Sequence, residues 1–156
     1  MPTRRAFIAG AAAAGMAPVP TWAEAGGPRY LSAARMPDGR FRLFGLDGEL
    51  QPVLSLPLPG RGHAAVAHPE RPEAVAFARR PGTFAIVLDC MTRSVVAVLD
   101  APPERHFYGH GAFSADGARL YTTENAYEIG EGRIGVWAVD DGYRRIGEFA
   151  SGGIGP

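Results

Sequence analysis

The sequence predicts an all-β protein, a partial β-propeller of about three blades preceded by a signal segment. Two observations predict this class. The 156-residue chain contains 21 Gly and 14 Pro, and sustained helical periodicity of apolar residues is missing after the first 25 residues. Short β-rich runs bounded by turn residues recur with a period of about 40 to 50 residues, as propeller blades do. We therefore assign residues 1–25 to a signal peptide and residues 26–156 to an incomplete propeller domain.

The first 25 residues have the pattern of a twin-arginine export signal. Arg4 and Arg5 precede Phe7, a short apolar run rich in Ala and Gly follows, and Ala23 and Ala25 form an A-x-A cleavage site. The run is too short for a stable transmembrane helix, which needs about 20 strongly apolar residues. The pattern predicts that the twin-arginine export machinery delivers the folded protein to the periplasm, with no stable membrane span.

Composition narrows the classes of partner. The 16 basic and 16 acidic side chains balance, so no long-range field attracts the protein to nucleic acid. Cys90 is the single cysteine, which excludes an intrachain disulfide and the cysteine-rich metal motifs. The sequence also lacks a nucleophile elbow, an HExxH motif and a P-loop. The sequence leaves the identity of any metal or cofactor unknown, and imidazoles such as those of His63 and His110 can bind a metal.

Eleven segments in the mature part have the composition of strands, and each is bounded by turn residues. They are residues Tyr30 to Arg35, Arg40 to Leu46, Val53 to Leu56, His63 to Ala67, Ala74 to Ala78, Phe84 to Leu88, Val95 to Leu99, Gly111 to Ser114, Arg119 to Thr123, Ile134 to Val139 and Arg145 to Phe149. Trp137 is expected in the core between blades.

A repeat organises these strands into blades. Gly-His pairs open two similar units, with His63 and His110 lying 47 residues apart, and equivalent strands end in Asp47, Asp89 and Asp140. The first unit has three strands rather than four, as expected where a propeller closes with a strand from its far C-terminus. Propellers have about four to eight blades, so we expect this chain to be the N-terminal part of a longer protein.

The mature chain resembles a known family, the twin-arginine-exported bacterial propeller proteins of unknown function within the wider YVTN/WD40-like group. The resemblance is most specific in the second half. Its segments are Tyr30 to Ala33 with Asp38 to Arg40, Arg61 to His63, Tyr108 to Ser114 with Asp116 and Gly117, Leu120 to Asn125, Gly132 to Val136, and Arg145 to Phe149 with Gly153 to Pro156.

The resemblance implies a seven-bladed ring that is often encoded beside periplasmic iron-acquisition proteins, and it supplies no proven activity. The chain departs from the family pattern at Ala126, where an acidic residue usually follows the Glu-Asn pair. The family also continues past Gly155 and Pro156 into a His-Glu pair. If that pair belongs to a site, this chain has only part of it.

Four residues are candidates for ligand binding. His63 and His110 occupy equivalent blade entrances, where imidazoles can bind a ligand or can bond within the blade as structural histidines. Glu124 and Asn125 begin a run, extending to Gly132, that is predicted as an inserted loop, and such loops concentrate binding residues. His68 and His106 are expected to be exposed loop residues.

These features favour a periplasmic, non-catalytic binding or scaffold protein that takes a small ligand or a partner protein at the channel mouth, in the setting of iron acquisition. The alternative is a propeller enzyme, either a lactonase-like hydrolase or a quinoprotein-type oxidoreductase. That enzyme would use His63, His110 and Glu124 near the propeller axis, and fold analogy is its only support.

Overall fold

The computed structural model describes residues 20–22, 24–25 and 27–154, and these form an all-β structure with one short 3₁₀ helix at Val139–Asp141. The strands are β1 (Tyr30–Arg35), β2 (Phe41–Leu46), β3 (Pro52–Leu58), β4 (Gly62–Ala67), β5 (Glu73–Ala78), β6 (Phe84–Asp89), β7 (Ser94–Asp100), β8 (His106–Phe113), β9 (Arg119–Ala126), β10 (Glu131–Ala138) and β11 (Arg144–Ala150). All eleven predicted strands are present, which confirms the predicted fold class.

Three antiparallel sheets follow one another along the chain. The first has the order β1-β2-β3, the second β4-β5-β6-β7 and the third β11-β10-β9-β8. Each sheet is a blade of neighbouring strands, and the inner strands β4 and β8 contact each other across the two complete blades. This is the arrangement of a partial propeller.

The third sheet differs from prediction between Glu124 and Gly132. Strand β9 continues through Ala126, and β10 begins at Glu131, so Glu124 and Asn125 are paired strand residues instead of an inserted loop. The burial of both side chains explains the longer strands, because buried backbone groups require partners that a ladder supplies.

Two apolar layers hold the sheets together. Between the second and third sheets lie, among others, Val75, Phe77, Phe107, Leu120 and Trp137, so the predicted interblade position of Trp137 is confirmed. Strands β5 and β6 are buried on both faces, which explains their nearly continuous apolar sequences. Their other face meets the first sheet in a second layer, whose buried residues are Leu43, Leu54, Leu58, Ala74, Ala76, Ala78, Phe84, Ile86 and Leu88.

The direction of β1 shows which of the four strands of a blade is not present in the described part of the first sheet. Strands β4 and β8 run in the same direction. His63 near the start of β4 contacts His110 of β8, and His68, just after β4, contacts Phe113 at the end of β8. Strand β1 runs the opposite way, since a Cβ built on Gly62 at the start of β4 lies 2.6 Å from Ala33 near the end of β1.

Because successive strands of a blade alternate in direction, β1 corresponds to the second strand of a blade. In the part of the chain that the structure describes, β1 therefore has a free edge toward the propeller axis. None of the described helices is long and apolar enough to cross a membrane.

Candidate functional site

His63 and His110 lie together at the inner ends of the second and third blades. Their rings meet edge to face with centroids 4.9 Å apart, and both residues are exposed. A bulge in β8 between Phe107 and Gly111 frees this segment from the regular ladder. Thr123 donates a hydrogen bond to the His110 carbonyl at 3.0 Å, which holds the bulged backbone against β9.

Gly109 allows the two histidines to approach. Its φ is +96°, and a Cβ at this position would lie 2.4 Å from Cδ2 of His63. Any other residue would therefore be strained and would displace the His63 ring. The Gly-His pair at 109–110 is thus a backbone requirement of this site.

The two histidines line a cavity of about 600 Å³ that is open to solvent. Its other lining residues are Arg79 and Arg80, from the turn between β5 and β6, and Tyr108 of β8. We name this space the histidine cavity. Its volume is in the range of about 300 to 1,000 Å³ that is typical of small-molecule sites.

A second open space of about 640 Å³ adjoins the histidine cavity and shares His63 and Arg79 with it. It lies beside the free edge of β1 and is also lined by Arg35 and Arg61. We name it the arginine cavity. Together the two spaces have four guanidinium groups and no lining carboxylate.

The pKa of His63 lies below its usual value. Desolvation of the ring by its surroundings is the largest cause, and the neighbouring His110, Arg79 and Arg61 disfavour the imidazolium further. Arg79 Nη1 lies 3.4 Å from His63 Nδ1 and can donate to it in the tautomer whose proton is on Nε2. The neutral ring then offers its Nε2–H as a donor toward solvent.

Aromatic contacts hold Arg80 at the side of the histidine cavity. Its guanidinium lies over the Tyr127 ring, with Cζ 4.3 Å from the ring centroid. Tyr127 in turn packs beside Tyr108 and His106, whose Nδ1 is 2.9 Å from the Pro81 carbonyl. This stacking restricts the guanidinium and leaves its N–H edge available to a ligand.

Glu124 lies apart from the histidines and lines neither cavity. Its side chain is completely buried on the face of β9 that meets the second sheet. One carboxylate oxygen accepts from Thr122 at 2.9 Å and the other from Arg145 at 2.8 Å. The His63, His110 and Glu124 constellation of the enzyme alternative is therefore not assembled.

Asn125 is also buried and lines neither cavity. Its amide nitrogen donates to the Ile154 carbonyl, and its carbonyl oxygen has no hydrogen-bond partner among the described residues. No group of three or more metal-ligating side chains occurs in the described part of the chain. Arg4, Arg5, Phe7 and Ala23 lie outside the described residues.

Sequence reasoning missed the arginines of the site. Arg79 and Arg80 have no role in the sequence-based prediction, although they directly follow β5, the strand that pairs with β4. Hairpin geometry places Arg79 beside Arg61, and Arg79 N donates to the Arg61 carbonyl at 2.6 Å. The signal in the sequence was that basic residues flank the β4–β5 hairpin, one just before β4 and one just after β5.

Sequence and structure comparisons place the chain among proteins of the predicted fold. The family model described as a protein of unknown function, DUF1513, matches residues 56–156, which are more than half of the chain. No curated protein matches.

Among solved structures, the chain is similar to the dihydro-heme d1 dehydrogenase NirN in complex with DHE, a β-propeller protein. The TM-score is 0.60 at 16% sequence identity, over 77% of this chain. This chain spans only 27% of the NirN chain, so it corresponds to about a quarter of that molecule. At this identity the similarity supports the propeller fold alone.

Proposed function

This chain belongs to the DUF1513 family of proteins of unknown function, and we propose that it is a non-catalytic binding protein whose histidine cavity takes a small ligand. The observation on which the proposal rests is the meeting of His63 and His110 from two neighbouring blades beside a solvent-open cavity of about 600 Å³. Side chains from separate elements converge there on one space, as in binding sites on rigid scaffolds.

The lining chemistry supports binding. The histidine cavity combines imidazole and guanidinium donors with the Tyr108 ring, so it can orient a ligand through both hydrogen bonds and aromatic contact. NirN was solved with DHE bound, so a propeller protein similar to this chain in fold does hold a small molecule. We propose that the ligand is either a free small molecule or a small group presented by a periplasmic partner protein.

Ligand binding is tested by thermal unfolding of the purified protein against a library of periplasmic small molecules. A ligand of the histidine cavity should raise the melting temperature of the wild type, because it stabilises only the folded state. The increase should disappear in the double variant His63→Ala with His110→Ala. It should persist in Arg119→Ala, which removes an exposed side chain at the start of β9 that lines neither cavity. Equal increases in both variants would contradict the proposed site.

Export to the periplasm by the twin-arginine pathway is part of the same proposal. It rests on Arg4, Arg5 and Phe7 followed by the apolar run and the Ala23 and Ala25 cleavage pattern. Replacing both arginines with lysine keeps the charge but removes the planar guanidinium groups. The precursor should then accumulate in the cytoplasm of fractionated cells, and normal periplasmic yield of the double lysine variant would reject the assignment.

A role in iron acquisition is the most specific part of the proposal and derives from the family resemblance. Deletion of the gene should slow growth when iron is limiting and leave growth in iron-replete medium unchanged. The His63→Ala with His110→Ala variant should fail to restore growth, whereas Arg119→Ala should restore it. An equal growth defect in iron-limited and iron-replete media would contradict a role in iron acquisition.

A further inference from the structure

The charge around the two cavities is of one sign. Arg79 and Arg80 line the histidine cavity, and Arg35 and Arg61 line the adjoining arginine cavity. No Asp or Glu lines either space, although the whole chain has as many acidic as basic residues. The positive side chains at this mouth are therefore not offset by lining carboxylates, and a concave surface focuses their field.

Among the residues that the structure describes, these four guanidinium groups form no ion pair. The ion pairs among the described residues involve Arg40, Arg71, Arg105, Arg133, Arg144 and Arg145, none of which lines the two cavities. Six arginines elsewhere in the blades are thus neutralised by neighbouring carboxylates, whereas Arg29, Arg42, Arg93 and Arg119 are single arginines without such a pair among the described residues. At the mouth, the compensating negative charge has to come from solvent ions or from a ligand.

The electrostatics disfavour a cation at the histidine pair. Arg79 lies 3.4 Å from Nδ1 of His63, so one ring nitrogen that could bind a metal faces a guanidinium instead. Arg61 and Arg79 also repel positive charge on His63. A metal ion would meet the same repulsion, whereas an anion would be attracted by all four arginines.

The arrangement of donors favours a ligand with several anionic groups. A guanidinium binds a carboxylate or phosphate through two parallel hydrogen bonds, and Arg80 is held for such contact by its stacking on Tyr127. Arg79 belongs to both cavities, so anionic groups in each could share it. The neutral His63 ring can add its Nε2–H as a further donor.

We infer that the histidine and arginine cavities bind a small molecule that has at least two carboxylate or phosphate groups. This inference rests on the proposed function, since it names the ligand class of the same site. Carboxylates and phosphates share the chemistry that the arginines recognise, and the experiment separates them.

Isothermal titration of the full chain tests the inference with citrate as the polycarboxylate probe and pyrophosphate as the phosphate probe. Acetate and spermidine serve as monoanionic and cationic controls. At least one polyanion should bind, with an affinity that falls as salt is added, and the two controls should not bind. Citrate alone, pyrophosphate alone, or both then identify which groups the site accepts.

The double variant Arg79→Gln with Arg80→Gln should lose at least about tenfold in polyanion affinity, because it removes charge-assisted bidentate contacts. Arg119→Gln is the matched control, since Arg119 is exposed at the start of β9 and lines neither cavity. The polyanion affinity of the Arg119→Gln variant should equal that of the wild type. Circular dichroism melting of each variant separates a lost site from a lost fold.

Two outcomes overturn the inference. The first is that neither polyanion binds the wild type. The second is that the Arg79→Gln with Arg80→Gln variant binds a polyanion as tightly as the Arg119→Gln variant does. If a neutral library compound still stabilises the protein through His63 and His110, the ligand class is wrong and the proposed binding function stands. If no compound of any charge does so, both proposals fail.

Discussion

Glu124 is a completely buried carboxylate that has a partner for each of its oxygens. Trp137 Nε1 donates to Thr122 Oγ1 at 2.9 Å, that hydroxyl donates to Glu124, and Arg145 pairs with the second oxygen. The network joins β9, β10 and β11 between the second and third sheets. A buried charge is tolerated only when its partners are in place, so each link depends on the others.

Replacing Glu124 with Gln should lower the free energy of unfolding by about 3 kcal/mol, since breaking a buried ion pair leaves the remaining charge poorly compensated. We expect the lower end of the usual range because Arg145 keeps its second partner, Glu148. Urea unfolding measures the change. Asp141→Asn removes the exposed pair with Arg144 and should cost less than about 1 kcal/mol. Equal losses would show that the buried network has no special role.

His68 contradicts its expected exposure, because only 4% of its surface is accessible. Its Nε2 lies 3.1 Å from the Gly117 carbonyl, and its Nδ1 accepts from the backbone N–H of Glu70 at 3.0 Å. A neutral ring satisfies both contacts. Burial lowers the pKa of His68, and the nearby Arg71 lowers it further against the opposing effect of the Gly117 contact.

The lowered pKa of His68 predicts a loss of stability in mild acid. Below about pH 6.5, the unfolded chain takes up a proton that the folded protein does not, so the free energy of unfolding decreases until the pH reaches the lowered pKa. Urea midpoints measured from about pH 7.5 to pH 5 should show this decrease. The His68→Gln variant should have a shallower dependence over the same interval. An unchanged slope would mean that His68 does not contribute.

At the level of the strand, β8 is shaped by its bulge. Residues Phe107 and Gly111 flank a shift in register, and Gly109 between them has a φ of +96°. The bulge brings His110 toward His63, while Phe107 stays fully buried in the core layer. One strand therefore contributes both to packing and to the histidine cavity.

Replacing Gly109 with Ala should lower the free energy of unfolding by about 1 to 3 kcal/mol, because the backbone conformation becomes strained. The new Cβ, 2.4 Å from the His63 ring, should also displace that ring and weaken ligand binding. Chemical unfolding and the polyanion titration measure the two effects. Gly147→Ala is the control, since a Cβ there meets no atom within 4 Å. Wild-type behaviour of Gly109→Ala would show that the close approach is not required.

The strands were predictable because each alternates or concentrates apolar residues between turn signals, and Gly-His pairs marked two blades in register. The errors share a physical cause. His68 is covered by Phe113 of the next blade, and Glu124 is buried by a distant Arg145. Such long-range contacts leave no local pattern. The sequence therefore predicted His63 and His110 at a blade entrance, but not the arginines brought beside them by folding.

At the scale of the whole molecule, two surfaces in the described structure favour association with other strands or sheets. Strand β1 has a free edge toward the axis in the described structure. The third sheet exposes an apolar face on which Phe149 is 52% accessible and packs edge to face on Tyr121. Unpaired edges and exposed apolar faces promote association with other strands and sheets.

We therefore predict that the purified 156-residue protein self-associates as its concentration increases. Sedimentation velocity over a range of concentrations measures this association. Phe149→Lys should shift the distribution toward monomer, because it places a charge on the apolar face. Leu50→Lys is the matched control, since Leu50 is 63% exposed but lies in the turn between β2 and β3, away from that face. A wild-type protein that stays monomeric at every concentration, or equal effects of the two substitutions, would show that this face does not mediate association.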